Sequence, residues 1–255
     1  MKPIQGNTEG FRPAQTIELL NLFPTTMLRG QFDLPHELIA EDCRRLVAKV
    51  NKRWPSDYNR NYTTYFDKDV RDETHELPWF SDFTDIAKDT YIEFIRNMYH
   101  MNVKDLTRHD IHFYAWISVY NKPHHHPMHN HEKCHVSGTY YVQSNIESQP
   151  IKFQNPNILA NGVLQTIGDM IPISENELWY GTEGVVDEVH FRNQSGDFLM
   201  WPSYLMHEVP RLDDKGIQPN TYERIAISFN LKHNIPIDSN LTGTQLRYRD
   251  VIRDE

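Results

Sequence analysis

Residues 111–121, IHFYAWISVYN, lie where the hydrophobic pattern of this 255-residue chain changes its period. Upstream of them apolar side chains recur every three or four positions, whereas within them apolar and polar side chains alternate. The alternation, together with many aromatic and β-branched side chains, predicts a β-strand. Segments of the same style follow at residues 137–143, 151–153, 188–193, 196–202 and 223–231. Several short strands separated by turn signals predict a sandwich or barrel, and here we expect a jelly-roll-like β core.

Two segments before residue 108 have helical spacing. In residues 35–54 the apolar side chains recur at intervals of three and four, and residues 83–101 carry a second apolar stripe of the same kind. Residues 16–33 are expected to form an extended segment that is interrupted at Pro24. The fold class that we expect is therefore mainly β, with flanking helices that brace the β core.

We expect one domain over residues 1–255, because all-β barrels and sandwiches often reach this length. Residues 1–107 would supply the extended segment and the bracing helices, and residues 108–232 would form the β core. Residues 154–187 are a long stretch of mixed character inside the core, which predicts an insertion that is either a lid over a substrate or a surface hairpin. Residues 233–255 would follow as a C-terminal tail.

The composition limits the classes of partner. With 26 basic and 35 acidic residues the net charge is −9, which argues against a nucleic-acid partner, because phosphate backbones attract basic surfaces. Cys43 and Cys134 are the only cysteines, so the sequence favours a reducing cytoplasm. No apolar run reaches the length of a membrane span, and the first residues lack the apolar core of a signal peptide. The oligomeric state stays open, with a homo-oligomer as one option.

The richest chemical feature is residues 124–131, HHHPMHNH, which place five histidines in eight positions. His129 and His131 are two residues apart, so in extended backbone both imidazoles point to the same face and can bind one metal ion. His124, His125 and His126 are left with two interpretations. They either orient a ligand or substrate at the mouth of the site, or they belong to a solvated polar turn.

A metal site needs a further ligand from elsewhere in the chain. His207 follows a predicted strand, so it either points into the mouth of a barrel or is a buried histidine satisfied by backbone groups. His135 is either an outer group of the site or an alternative ligand together with Cys134. Arg224 shares one face of its strand with Ser228, and arginine suits bidentate binding of a carboxylate. The simpler interpretation of Arg224 is a surface ion pair.

The order of these features resembles that of the Fe(II)- and 2-oxoglutarate-dependent oxygenases, and more closely the bacterial and phage branch of these enzymes. The residues that carry the resemblance are Trp116, His129-Asn130-His131, SGTYYV at 137–142, GDFLMWPS at 196–203, His207, Val209 and ERIAISFN at 223–230. The resemblance covers about residues 108–232, with a looser match at residues 22–32. Each motif alone is weakly specific, and the signal comes from their common order and spacing.

The resemblance implies a double-stranded β-helix, which is a jelly roll, with Fe(II) at its open end. It implies His129 and His207 as two ligands of the metal. His131 stands where relatives often have a carboxylate, so this site would have three imidazoles and one negative charge fewer than a site with two histidines and a carboxylate. Glu132 is the alternative third ligand, although an extended backbone turns it to the other face.

The same resemblance implies a binding site for the cosubstrate 2-oxoglutarate. Arg224 would bind its distal carboxylate, and Thr139, Tyr141 and Ser228 would line the same pocket. The residue two positions after the arginine, where relatives often have a serine, is Ala226.

The activity that the resemblance implies is a dioxygenase reaction that consumes O2 and 2-oxoglutarate, hydroxylates an unidentified small-molecule or peptide substrate, and releases succinate and CO2. Two alternatives remain: a cupin-like enzyme with a three-histidine metal that does not use 2-oxoglutarate, and a non-catalytic metal-binding barrel. Arg224 separates the first interpretation from these two, since neither of them needs a carboxylate-binding arginine at that place.

Overall fold

The structure, a computed structural model, describes residues 4–5, 16–17, 25–53, 62–99, 106–121, 124–156, 188–211 and 223–233. The predicted lid falls almost entirely on residues 157–187, outside the described residues, and so does the predicted tail from residue 234 onward. Both therefore stay predictions, as do the domain boundaries.

Three helices flank the β core. They are α1 (His36–Arg53), α2 (Lys68–His75) and α3 (Pro78–Tyr99), and a single 3-10 turn (Arg108–Asp110) follows them. The two predicted helices are confirmed, but α3 begins five residues earlier than expected, because Pro78 fits the first helical position. Helix α2 was not predicted, because its only buried residues are Val70 and Thr74; its N-terminus is capped by Asp67. Within the described residues no helix is both long and apolar enough to cross a bilayer.

Twelve strands are present in the described part of the chain. They are β1 (Ile4–Gln5), β2 (Thr16–Ile17), β3 (Leu28–Gln31), β4 (Tyr62–Thr63), β5 (Ile111–Tyr120), β6 (His126–His129), β7 (Val136–Gln143), β8 (Ile151–Gln154), β9 (Glu188–Phe191), β10 (Asp197–Pro202), β11 (His207–Val209) and β12 (Arg224–His233). All six predicted strands are confirmed with shifts of one or two residues at their ends. The short strands β6 and β11 were not predicted, because three or four residues rich in histidine carry no clear alternation.

The strands from β5 to β12 build two sheets. One sheet has the order β3-β10-β7-β12-β5-β4 and the other has the order β6-β11-β8-β9. Apart from the β8–β9 hairpin, each strand from β5 to β12 lies in the opposite sheet to the one before it, and the neighbouring strands in both sheets are antiparallel. This winding is a jelly roll, so the predicted mainly β fold with a double-stranded β-helix is confirmed.

The larger sheet is buried on both faces. Its outer face packs against the helices through residues such as Cys43, Leu46, Phe83, Tyr140 and Phe229. Its inner face packs against the smaller sheet through Tyr141, Leu199, Trp201, Ala226, Ile151 and Phe153. Gly138 is required where β7 passes β10, since a Cβ at this position would lie 2.7 Å from the Leu199 carbonyl oxygen. Gly138 also lines the pocket in which the histidines lie.

Candidate functional site

Three histidines meet between β6 and β11. His207 pairs directly with His129 in the antiparallel register of these strands, and His131 follows β6 with its backbone N–H donating to the Ser203 carbonyl at 3.0 Å. One ligand atom from each imidazole can be chosen so that all three lie within 4.8 Å of one another. The ring centroid of His207 lies 4.3 Å from that of His129 and 5.1 Å from that of His131. This is the geometry of a site that can bind one metal ion.

The tautomers of two of these imidazoles suit metal binding. The Nδ1 of His129 lies 2.8 Å from the Pro127 carbonyl, and the Nδ1 of His207 lies 2.9 Å from the Leu205 carbonyl. A carbonyl oxygen only accepts, so each Nδ1 carries the proton and each Nε2 keeps its lone pair. The hydrogen bonds also fix the orientation of both rings before any metal arrives.

Burial keeps all three imidazoles neutral. It lowers the pKa of His131 to about 4, with the nearby His129 as the second cause, and it lowers the pKa of His207 and of His129. Neutral imidazoles suit first-row divalent metals such as Fe(II). No described Asp or Glu joins this cluster, and Glu132 is exposed to solvent. The residues present therefore fit a three-imidazole Fe(II) site without a carboxylate ligand.

We expect the metal-free protein to lose stability as the pH falls from about 7 to about 5. The pKa of His131 is lower in the folded chain than in the unfolded chain, so the unfolded chain binds the proton first as the pH falls. The contribution of neutral His131 to stability is therefore complete above about pH 6.5 and is lost toward pH 4. For His131 alone, the free energy of unfolding should fall by about 2 kcal/mol between pH 7 and pH 5. Urea unfolding with a chelator present measures it, and His131→Asn should flatten the slope. A wild-type stability that does not change with pH would contradict the buried, neutral state of the cluster.

Arg224 lies beside this cluster and is 2% exposed. Its guanidinium carbon lies 4.8 Å from the ring centroid of Tyr120 and 4.9 Å from that of Tyr141, and its Nη2 donates to the Tyr141 hydroxyl at 3.2 Å. Its Nε and Nη1 are buried and have no hydrogen-bond partner among the described residues. Because burying a cation with unsatisfied donors is costly, the arrangement fits an anionic ligand that accepts from these two atoms.

The two tyrosines do not supply that negative charge. Burial raises the pKa of Tyr120 to about 12, and burial also raises the pKa of Tyr141. Both phenols are therefore neutral at physiological pH. The charge of Arg224 is left for a ligand to balance, and a carboxylate can accept from its unpaired N–H donors and supply the negative charge.

The structure brings all seven predicted site residues together. His129, His131, His207, Thr139, Arg224 and Ser228 line one pocket, and Tyr141 lies against Arg224 at its base. Thr139 and Ser228 are joined by a hydrogen bond of 3.0 Å between their hydroxyl oxygens. Their roles as ligands of a metal or of 2-oxoglutarate stay predictions. The interpretation of Arg224 as a surface ion pair is wrong, because its guanidinium is buried without a carboxylate partner among the described residues.

Tyr120 and Trp201 line the pocket but were not predicted as part of the site, and His126, which was expected either at the mouth of the site or in a polar turn, lines the pocket as well. Tyr120 lies opposite Arg224 in the β5–β12 register, and His126 stacks on His129 with ring centroids 4.0 Å apart. Trp201 is centred 5.0 Å from the ring of His207. The alternation of β5 already places Tyr120 on the face of Trp116, so that pattern could have identified it.

Two further histidines, His124 and His135, lie outside the three-histidine cluster. His124 is 6% exposed and packs edge-to-face on Tyr62, and its Nδ1 accepts from the Asn121 N–H, so for this residue the solvated-turn interpretation is wrong. His135 is exposed and its Nδ1 lies 2.9 Å from the Tyr91 hydroxyl, outside the metal cluster. The predicted alternative ligand pair of His135 and Cys134 is therefore not assembled.

Comparison with known families agrees with this geometry. The family model described as "Putative 2OG-Fe(II) oxygenase" matches residues 114–230, which run from β5 to β12 and include every candidate ligand. Residues 114–230 belong to the 2OG-Fe(II) oxygenase family. Members of this family use Fe(II) and 2-oxoglutarate, and the three imidazoles and the buried Arg224 lie in the matched part of the chain.

Several solved structures are similar in outline, whereas no curated protein matches the sequence. A Pseudomonas putida prolyl-4-hydroxylase is 13% identical over 82% of this chain and 94% of its own, with a TM-score of 0.49. HygX from Streptomyces hygroscopicus, with nickel and 2-oxoglutarate bound, is 14% identical over 81% and 82%, with a TM-score of 0.45. The carbocyclase SnoK from nogalamycin biosynthesis is 9% identical over 91% and 90%, with a TM-score of 0.47. At this distance the family assignment rests on the family model and not on these structures.

Proposed function

We propose that this oxygenase hydroxylates a C–H bond of a small-molecule or peptide substrate, with conversion of 2-oxoglutarate to succinate and CO2. One observation supports it above the others: the buried, unpaired donors of Arg224 share a pocket with three neutral imidazoles. His129, His131 and His207 would hold Fe(II), which together with O2 and 2-oxoglutarate supplies the oxidising power. The cofactor carries the difficult chemistry, and the protein orients the reactants and excludes water.

The residues around Arg224 support binding of the distal carboxylate of 2-oxoglutarate. The Nη1 of Arg224, which has no hydrogen-bond partner among the described residues, would donate to it. Because the Tyr141 oxygen accepts from Arg224, its own hydroxyl hydrogen is available to the same carboxylate. In the Thr139–Ser228 pair one hydroxyl donates to the other, which leaves one hydrogen for the ligand. Up to three donors would thus converge on one anionic group.

The net charge of the chain limits the class of substrate. A net charge of −9 disfavours phosphate backbones, so a small molecule or a peptide is the proposed substrate. In a three-histidine enzyme that does not use 2-oxoglutarate, or in a non-catalytic barrel, no anionic ligand would balance the buried charge of Arg224. That unbalanced charge would destabilise the fold. A cytoplasmic location stays a prediction from the cysteine content.

Two measurements on the wild-type protein test the proposal. Adding Fe(II) and then 2-oxoglutarate without oxygen should produce a weak visible charge-transfer band, and admitting air should then yield succinate even without substrate. With a panel of small molecules and peptides, the true substrate should raise the succinate yield and gain one oxygen atom. A band and succinate without any hydroxylated product would support the oxygenase but not the hydroxylase. Neither band nor succinate would contradict both.

A further inference from the structure

A continuous chain of aromatic rings leads from the metal site to solvent. The ring of Trp116 stacks on that of His131, with centroids 5.8 Å apart and planes inclined by 22°. Trp116 in turn contacts Tyr65 at 5.1 Å and Tyr114 at 5.8 Å, and Tyr65 contacts Phe66 at 5.0 Å. We call Trp116, Tyr114, Tyr65 and Phe66 the aromatic chain. Every step along it is a direct ring contact.

The aromatic chain spans the full range from burial to exposure. Trp116 lines the pocket and is buried, whereas Tyr114 is 37%, Tyr65 40% and Phe66 80% exposed. Trp116 and Tyr114 are two residues apart on β5 and so share a face, and Tyr65 joins them from the turn between β4 and α2. Exposed clusters of large rings are uncommon without a function, so packing alone is a weak explanation for its outer end.

We propose that Trp116 and Tyr65 form a one-electron path that carries oxidising equivalents from the metal site to the protein surface when no substrate is bound. The proposal rests on the proposed function, namely that Fe(II), O2 and 2-oxoglutarate react at the three histidines. Indole and phenol are the aromatic side chains that give up an electron most readily. Rings in contact exchange electrons rapidly, because electron-transfer rates fall steeply with distance. The path would protect the pocket, whose imidazoles and indoles are otherwise the nearest groups to be oxidised.

Without substrate, O2 takes two of its four electrons from 2-oxoglutarate, and two oxidising equivalents remain at the metal. Trp116 gives one electron, and Tyr65 returns it to Trp116 and releases its phenolic proton to water, which leaves a neutral tyrosyl radical at the surface. A reductant such as ascorbate then gives one electron and one proton to Tyr65, and a second electron from the same reductant, passed along the same path, would restore Fe(II). The second oxygen atom of O2 would be released as water with two protons from solvent.

Arg71 selects Tyr65 over Tyr114 as the end of the path. The guanidinium carbon of Arg71 lies 5.0 Å from the ring centroid of Tyr114, and its Nη1 donates to the backbone carbonyl of Tyr65. A cation over a ring makes removal of an electron from that ring harder. Among the described residues no cation is stacked on Tyr65. We therefore expect the radical mainly on Tyr65.

Trp201 provides an internal comparison. It is centred 5.0 Å from His207, so it is as close to the metal site as Trp116. Its other described ring neighbour is Phe153 at 5.1 Å, which contacts Phe191 at 5.7 Å. Phenylalanine does not pass on an electron hole under these conditions, so a hole on Trp201 would stay in the pocket. Of these two tryptophans, Trp116 alone has ring contacts with tyrosines among the described residues, so it offers the exit.

The test is the reaction of the iron- and 2-oxoglutarate-loaded protein with O2, without substrate or ascorbate. Samples frozen at successive times should show a tyrosyl radical by electron paramagnetic resonance, and peptide mass spectrometry should find oxidation at Tyr65. In Tyr65→Phe the radical yield per succinate should fall severalfold, and oxidation should move to Trp116 and the histidines. The variant should also be inactivated after severalfold fewer turnovers.

Matched variants decide the outcome. Tyr62→Phe removes a nearby tyrosine whose described ring contact is with His124, and it should behave as wild type. Trp116→Phe should suppress the radical, whereas Trp201→Phe should retain it when the yield is expressed per succinate. If succinate forms but the radical and the inactivation rate are unchanged in both Tyr65→Phe and Trp116→Phe, the path is overturned. If no succinate forms in the wild type, the proposed function has failed instead.

Discussion

Replacing Arg224 by methionine should weaken 2-oxoglutarate binding by two to three orders of magnitude while the metal affinity changes little. Truncating one partner of a buried charge-assisted pair costs on the order of 2–5 kcal/mol, and about 1.4 kcal/mol corresponds to a factor of ten. Methionine fills much of the same volume with an apolar chain, so the space between Tyr120 and Tyr141 should stay packed. Anaerobic titration followed by the charge-transfer band measures the cosubstrate, and competition with a chelator measures the metal.

Two controls separate this effect from misfolding. Arg224→Lys keeps the charge but loses the planar fork, so it should recover only part of the affinity. The metal-free methionine variant should unfold at no lower urea concentration than wild type, because it removes a buried cation with unsatisfied donors. Equal losses of metal and 2-oxoglutarate binding, or a destabilised metal-free variant, would contradict the assignment of Arg224 to the carboxylate.

Replacing His207 or His129 by alanine should reduce Fe(II) affinity by more than about 100-fold, because even outer groups that only orient a ligand are worth about 10- to 100-fold. His131→Ala should have an effect of the same size if three imidazoles hold the ion. His131→Asp should retain the metal, since a carboxylate at this position restores one negative charge toward the divalent ion. Metal content after dialysis and the charge-transfer band are the two measurements.

His190→Ala is the matched control, because His190 is exposed on β9 and lies 3.0 Å from Glu188 rather than in the cluster. It should bind the metal as wild type does. Wild-type affinity in His131→Ala would mean that the third ligand is another group, and the exposed Glu132 would be the next candidate to replace. Loss of metal in His190→Ala would show that alanine substitutions disturb the smaller sheet in general.

Local pattern was enough to predict most of the fold. The alternation along β5, β7, β10 and β12 fixes which side chains share a face, so Arg224 with Ser228 and Thr139 with Tyr141 could be paired from the sequence. Short or polar elements could not be recognised in this way. Helix α2 and strands β6 and β11 bury too few residues to show a period, and they form because the neighbouring elements hold them in place.

The residues of the candidate site were predicted from the sequence, but their hydrogen bonds and ring contacts were not. The i, i+2 spacing of His129 and His131 is local, and it follows from the geometry of extended backbone alone. Nothing in the sequence indicated that the Nδ1 atoms of His129 and His207 point at backbone carbonyls. The stacking of His126 on His129 also depends on how the chain turns before β6.

Which chemical groups are available follows directly from the sequence. The sequence also predicts which of them share a face of a strand, because side chains two residues apart in extended backbone point to the same side. The pairing of His207 with His129, 78 positions earlier in the chain, and of Tyr120 with Arg224 depends on how distant strands come together in the fold. Strand register is set by packing between distant segments, and a shift of one residue would turn each side chain to the other face. Burial is likewise a property of the whole fold, and it makes the imidazoles neutral and leaves Nε and Nη1 of Arg224 without a hydrogen-bond partner among the described residues.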